Sequence, residues 1–195
     1  LTSLGYDCTG LDYAKETVEE LNRQRPELKI VYGDVRALPF SSDAFIGYWS
    51  LGVIEHFWEG YGSIAAEMKR VIKPKGYLFL TFPQLSRLRA LKAKFGMYQV
   101  WKECATRPEG FYQFGLDARR VTKVFEKQGF RLSELRQKDG VKGAKDEIAF
   151  LKPLLQRLYD YKGTNIGIRG IRKLSELLLT PVAGHSVLLV LQKVE

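Results

Sequence analysis

The run Asp43-Ala-Phe-Ile-Gly-Tyr-Trp-Ser-Leu-Gly-Val-Ile-Glu-His56-Phe57 constrains the fold more than any other part of this chain. Its near-continuous apolarity over few residues predicts a strand buried on both faces, as in a parallel sheet covered by helices. The strand ends in small residues and then a Glu-His pair. Open parallel sheets bind their ligands at the carboxyl ends of their strands, which is where Ser50 to His56 fall. Asp12 and Asp34 close two further apolar runs in the same manner.

The rest of the pattern alternates strands with helices. Strands are predicted over 7–12, 29–32, 44–50, 77–82, 130–135 and 186–194. Helices are predicted over 13–25, 61–72, 86–95 and 116–128, with two more in 146–179 separated by a loop at 163–170. Residues 1–5 read as a helix end capped by Gly5, and Pro74-Lys-Gly76 as a turn. Such alternation predicts βαβ units in one α/β domain spanning 1–195. Within it, 84–115 reads as a cap or lid, and 136–183 as a helical insertion before the last strand.

Composition excludes several classes. With 45% hydrophobic and 27% charged residues the chain is a globular type. No apolar stretch reaches the roughly 20 residues needed to cross a bilayer. Cys8 and Cys104 form no metal-spaced pair, so no metal site is expected, and a reducing, cytoplasmic setting is the simplest reading. The start lacks the basic and apolar regions of a signal peptide. It also lacks methionine, so the chain is expected to begin after the natural start.

The net charge of +9 is uneven. Residues 1–83 hold nine Lys/Arg against eleven Asp/Glu, 84–145 hold fifteen against six, and 146–195 hold seven against five. A basic face near 84–145 would suit an anionic substrate or surface, or be a solvated face with no partner. No nucleic-acid module is present, and no nucleic-acid partner is expected.

A strand-end acid can accept two hydrogen bonds from a vicinal diol, as open α/β sheets do in holding a ribose. Asp12 fits that role, yet an Asp there also serves as the cap of the next helix. Asp34, followed by Val-Arg-Ala-Leu-Pro39-Phe40, could hold an exocyclic amine beside a flat ring.

Gly10-Leu-Asp12, Gly33-Asp34-Val-Arg-Ala-Leu-Pro-Phe40, Gly52-Val-Ile-Glu-His56 and Met68-Lys-Arg-Val-Ile-Lys-Pro-Lys-Gly-Tyr-Leu-Phe-Leu-Thr-Phe-Pro83 together resemble a class I S-adenosylmethionine-dependent methyltransferase of the small-molecule branch. The resemblance covers roughly residues 1–83. It implies a Rossmann-like sheet, mostly parallel, with a C-terminal antiparallel strand, and S-adenosyl-L-methionine as cofactor. It implies that Asp12 binds the ribose hydroxyls, Asp34 accepts from the adenine amine, and Val35 packs on the ring. Ser50 and Leu51 would contact the methionyl part through backbone groups, with Glu55 and His56 at the mouth of the substrate pocket. The family's first strand and Gly-rich turn would precede Leu1, between the strands ending at Asp12 and Ser50. The chain is therefore expected to be a fragment that binds cofactor poorly or not at all and is inactive by itself.

Methyl transfer to a hydroxyl benefits from a general base, for which His56, Tyr112 and His185 are the candidates. Phe111, Tyr112 and Phe114 would line the substrate side. Leu85, Leu88, Leu91 and Phe95, with Arg87, Arg89, Lys92 and Lys94, form a basic amphipathic helix that would close over the substrate or lie on an anionic membrane surface. A small-molecule or lipid-like acceptor suits that character. The alternatives are a non-catalytic binding or scaffold protein that keeps this fold, and a nicotinamide-dependent oxidoreductase. The Gly-Val-Ile-Glu-His run and the terminal strand disfavour the oxidoreductase.

Overall fold

The structure, a computed structural model, describes residues 2–98 and 106–195. Cys104 and the middle of the expected lid lie outside the described residues.

Two groups of strands organise the chain. β1 (Thr9–Asp12) and β2 (Lys29–Tyr32) pair in parallel, with Asp12 opposite Tyr32, and α1 (Lys15–Gln24) connects them. A four-stranded sheet has the order β3 (Phe45–Leu51), β4 (Ile72–Pro83), β6 (Ser186–Lys193), β5 (Phe130–Lys138). β3 and β4 are parallel, while β6 runs antiparallel to both β4 and β5. β1 and β3 each have one described strand neighbour, so each keeps an edge without a pairing strand among the described residues.

One face of the larger sheet forms the core. Leu78, Leu80 and Phe82 of β4 alternate inward beside Val187, Leu189 and Leu191 of β6. Against them pack Ile64, Met68 and Val71 of α2 (Gly62–Val71), and Val121 and Phe125 of α4 (Ala118–Lys127). The period-two burial on the strands and the three-to-four spacing on the helices match, so one layer of side chains fills the interface. Leu11 and Val35 also pack on this core, which ties the smaller sheet to the larger one.

The other sheet face departs from expectation. Trp49 and Leu51 of β3 are exposed, as is Tyr77 of β4, and Trp49 rests on Phe79 with ring centroids 4.7 Å apart. β3 is apolar on both faces but covered on one. β4 also starts five residues before the expected position. Phe45 pairs with Ile72 and Gly47 with Tyr77, so the expected turn at Pro74-Lys-Gly76 is a bulge inside the strand, with Lys75 at φ +64°. Residues 2–4 form a short helical turn, closed by Gly5 at φ +85°.

Side-chain caps explain several helix starts. Ser86 Oγ accepts from Arg89 N at the head of α3 (Arg87–Lys94), and Asp117 Oδ1 accepts from Arg120 N at the head of α4. Asn165 Oδ1 accepts from Ile168 N at the head of α7 (Ile166–Ala183).

Between β5 and β6 the chain builds a helical layer of α5 (Gly140–Glu147), α6 (Lys152–Asp160) and α7. The sequence pattern missed α5, because its glycines disfavour a helix. Packing explains them. A Cβ on Gly143 would stand 1.6 Å from the Ala183 carbonyl oxygen, and one on Gly140 would stand 2.3 Å from Thr180 N. Glycine is what lets α5 and α7 touch backbone to backbone. Gly143→Ala is therefore expected to destabilise the chain by about 1–3 kcal/mol in urea unfolding, although alanine favours an isolated helix by about 1 kcal/mol. Equal or greater stability would contradict this packing.

Candidate functional site

The turn that follows β3 collects the expected site residues. Gly52 takes φ +70°, and its N–H donates to the Thr81 carbonyl of β4 at 3.0 Å. This closes the strand end and sends the chain into the helical turn Ile54–His56. Gly52 also leaves room for Glu55, since a Cβ there would sit 3.3 Å from Glu55 Oε1.

Glu55 is 2% exposed and Ser50 is 3% exposed. Ser50 Oγ and Glu55 Oε2 are buried with no hydrogen-bond partner, as is Gln84 Oε1 just beyond β4. Buried polar atoms normally have partners, which makes these three atoms candidates for contact with a polar ligand. Burial pushes the Glu55 carboxyl above its ordinary pKa, against smaller lowering effects from its backbone hydrogen bond and His56.

The cap loop 106–116 closes over this turn through backbone bonds. Phe114 N donates to the Glu55 carbonyl at 2.9 Å, and Leu116 N donates to the Pro83 carbonyl at 2.9 Å. Trp58 meets Phe111 edge-on at 5.1 Å and stacks on Phe114 at 5.4 Å, while Phe111 and Phe114 lie 4.6 Å apart. An aromatic wall thus stands beside His56. A cavity lined by Tyr61, Leu85, Phe114, Asp117 and Arg120 opens from it.

His56 is held by one ring nitrogen. Nδ1 lies 2.9 Å from the Tyr112 carbonyl oxygen, which only accepts, so Nδ1–H donates there. In the neutral ring this leaves Nε2 as an acceptor, 4.0 Å from Glu55 Oε1. The Tyr112 ring meets His56 edge-on at 5.0 Å but is itself exposed. Tyr112 therefore positions His56 through its backbone, while its phenol faces outward.

Asp12 ends β1, and Asp34 lies two residues beyond the end of β2. Asp12 Oδ1 accepts from Ala14 N at 2.8 Å, a local turn just ahead of α1, whose cap residue is Ala14 and has no side-chain cap; Asp12 therefore does not cap the helix. Asp34 is engaged more fully. Its carboxylate takes Arg36 N and Nε on Oδ1, and Nε and Nη2 on Oδ2, at 2.6–3.0 Å. Arg36 holds the carboxyl below its ordinary pKa, and these four contacts use its acceptor sites. The Arg36 guanidinium also stands 5.4 Å from the Phe57 ring centroid, joining the Asp34 loop to the turn after β3. Glu67 and Arg70 of α2 pin the same loop, through Leu38 N and the Leu38 and Phe40 carbonyls.

His185 lies apart from this cluster. It precedes β6, with Nδ1 2.9 Å from an Arg89 nitrogen and Nε2 3.0 Å from Lys142 Nζ. Burial first, then Lys142 and Arg89, depress its pKa. Arg89 and Lys92 of α3 also bind Glu147 of α5, at 2.8 Å each, and Tyr98 donates to the same carboxylate. These contacts hold α3 to the helical layer. The apolar side of α3 is split accordingly: Leu88 packs inward, while Leu91 and Phe95 are exposed.

The sequence reading missed Trp58, which joins the cap to the turn. Its signal was the His-Phe-Trp run directly after the strand end. Among the described residues, no group of His, Cys, Asp and Glu is arranged to hold a metal ion.

For Glu55, the folded-state pKa lies above the unfolded one. Its contribution to stability is complete below the ordinary carboxylate range and is lost as pH rises through the raised value. Glu55→Gln keeps the neutral form. Thermal melts are expected to show the variant more stable than the parent at neutral pH, with the gap closing under acid. A gap independent of pH would contradict the buried-carboxyl assignment.

Residues 1–80 match the family model described as "Methyltransferase domain". No curated protein matches the chain. Among solved structures, a SAM-dependent methyltransferase from Methanosarcina mazei aligns with TM-score 0.62 at 15% identity, over 98% of this chain and 84% of its own. One from Archaeoglobus fulgidus gives 0.58 at 14%, over 98% and 78%. One from Mesorhizobium loti gives 0.56 at 12%, over 94% and 79%. Residues 1–80 are thus similar to a methyltransferase domain, and the chain as a whole shares the fold of these S-adenosylmethionine-dependent methyltransferases.

Proposed function

We propose that this chain methylates a hydroxyl group on a small-molecule or lipid-like acceptor, with His56 as the general base. The observation that carries this reading is the His56 ring, fixed through Nδ1 by the Tyr112 carbonyl and edge-on to the Tyr112 ring, with Nε2 in no hydrogen bond shown among the described residues and 4.0 Å from Glu55 Oε1. The unpaired Ser50 Oγ and Glu55 Oε2 fit the polar, cationic methionyl end of S-adenosylmethionine. The open lone pairs of Asp12 fit a ribose diol, and Val35 offers an apolar contact to a base. Asp34 fits the adenine amine once Arg36 turns away from it.

When bound, S-adenosylmethionine supplies a methyl group made electrophilic by its sulfonium. The chain's own residues do the rest. Asp12, Ser50 and Leu51 orient the ligand at the strand ends. Trp58, Phe111 and Phe114 exclude water and present an apolar surface to the acceptor. His56 Nε2 takes the hydroxyl proton, a step that typically contributes about 10²–10⁴ in rate. Positioning supplies the larger share, up to roughly 7–11 kcal/mol in well-aligned reactions. The open edges of β1 and β3 leave room for a further strand whose turn would bring backbone N–H groups to the methionyl end. The basic middle of the chain favours an acceptor bearing phosphate or carboxylate.

A non-catalytic binding protein is the second reading, and the full engagement of Asp34 by Arg36 favours it. Calorimetric titration of S-adenosylhomocysteine, with NADH as control, separates the readings. The chain is expected to bind the former alone. Asp12→Ala should weaken binding by about 1–3 kcal/mol, while His56→Gln leaves affinity unchanged and lowers turnover. Equal binding of NADH, or no effect of Asp12→Ala, would overturn the cofactor assignment.

A further inference from the structure

The outward face of α7 has no cover among the described residues. Ile171, Leu174, Leu177, Leu178 and Val182 repeat at three-to-four spacing, so they share one side of the helix. All five are exposed, Leu177 at 71% and Leu178 at 65%. Gly167, Gly170 and Pro181, also exposed, fill the same side, so no charged residue interrupts it. The inner side is accounted for by Leu179 and Ala183, which pack on α5 and α6.

The exposed charges that α7 itself carries beside this face are positive. Arg169 and Lys173 stand one turn apart and form an exposed row along its edge. α3 packs beside α7 and adds exposed Arg87 and Lys94, together with exposed Leu91 and Phe95. None of these four cations is in an ion pair shown among the described residues. The one acid of α7, Glu176, turns inward and accepts from Gly140 N at 2.7 Å and Val141 N at 3.3 Å. An apolar helix face rimmed by unpaired cations suits the surface of an anionic bilayer. At 18 residues α7 would lie along such a surface for about 27 Å, and no described helix is long and apolar enough to cross it. Two copies meeting through this face would instead bring like charges together in a chain of net charge +9.

We propose that the outward face of α7, with the exposed end of α3, docks on anionic membrane surfaces. This surface is separate from the cofactor site, so its test does not depend on methyl transfer. It would bring the catalytic domain to an acceptor held at a membrane.

The test is co-sedimentation with phosphatidylcholine vesicles, with and without phosphatidylglycerol. The chain is expected to partition onto the anionic vesicles and to be released by added salt. Leu174→Asp with Leu178→Asp should lower that partition by about tenfold or more, with circular dichroism unchanged because both positions are exposed. Arg169→Ala with Lys173→Ala should lower it in the same direction, through charge alone. Equal binding to both vesicle types, no binding, or unaltered binding by both variants would overturn the proposal. So would a solution dimer that the leucine substitutions abolish, which would assign the face to a second copy.

Discussion

Much of this structure depends on β4 being paired on both sides. Its parallel register with β3 and antiparallel register with β6 fix which side chains face inward, and a one-residue slip would turn Leu78, Leu80 and Phe82 out of the core. The helices α2 and α4 then have one surface to pack on. The buried Lys193 reinforces the start of the strand, donating to the Ile72 carbonyl at 2.7 Å and to Asp43 at 2.8 Å.

The site inherits its geometry from the carboxyl end of the same strand. Thr81 receives the Gly52 N–H and sets the turn that carries Glu55 and His56, while Pro83 receives the Leu116 N–H and anchors the cap. Backbone bonds therefore place both walls of the site, and side chains tune it. Their common anchor lets a ring nitrogen meet a cap carbonyl across a long stretch of sequence. The buried, underpaired Ser50 and Glu55 run against the tendency of the rest of the fold to satisfy its polar groups, and such violations concentrate where ligands bind.

Periodicity made several elements legible. β2 lies where the alternation put it, and β3, α2 and α4 differ from expectation by one or two residues at each end. The β4 bulge was not legible, because Pro-Lys-Gly reads as a turn whether or not pairing continues around it. α5 was hidden because Gly140 and Gly143 serve a contact with α7 that no local pattern contains. The exposed faces of β3 and α7 were equally invisible: apolarity announces that a face can be covered, not what covers it. At the site, Glu55 and His56 were legible as a pair after a strand, and the structure brings Phe111, Tyr112 and Phe114 to them. Trp58 needed the cap's path to be known, and so did the separation of His185, whose surroundings come from α3 and α5.

The proposed ligand site joins the carboxyl ends of β1, β2 and β3. Backbone amide shifts of the isotope-labelled chain, followed by NMR as S-adenosylhomocysteine is added, test this most directly. Perturbations are expected to concentrate at residues 10–14, 33–36 and 50–58. Perturbations centred elsewhere, or none at saturating ligand, would contradict this placement.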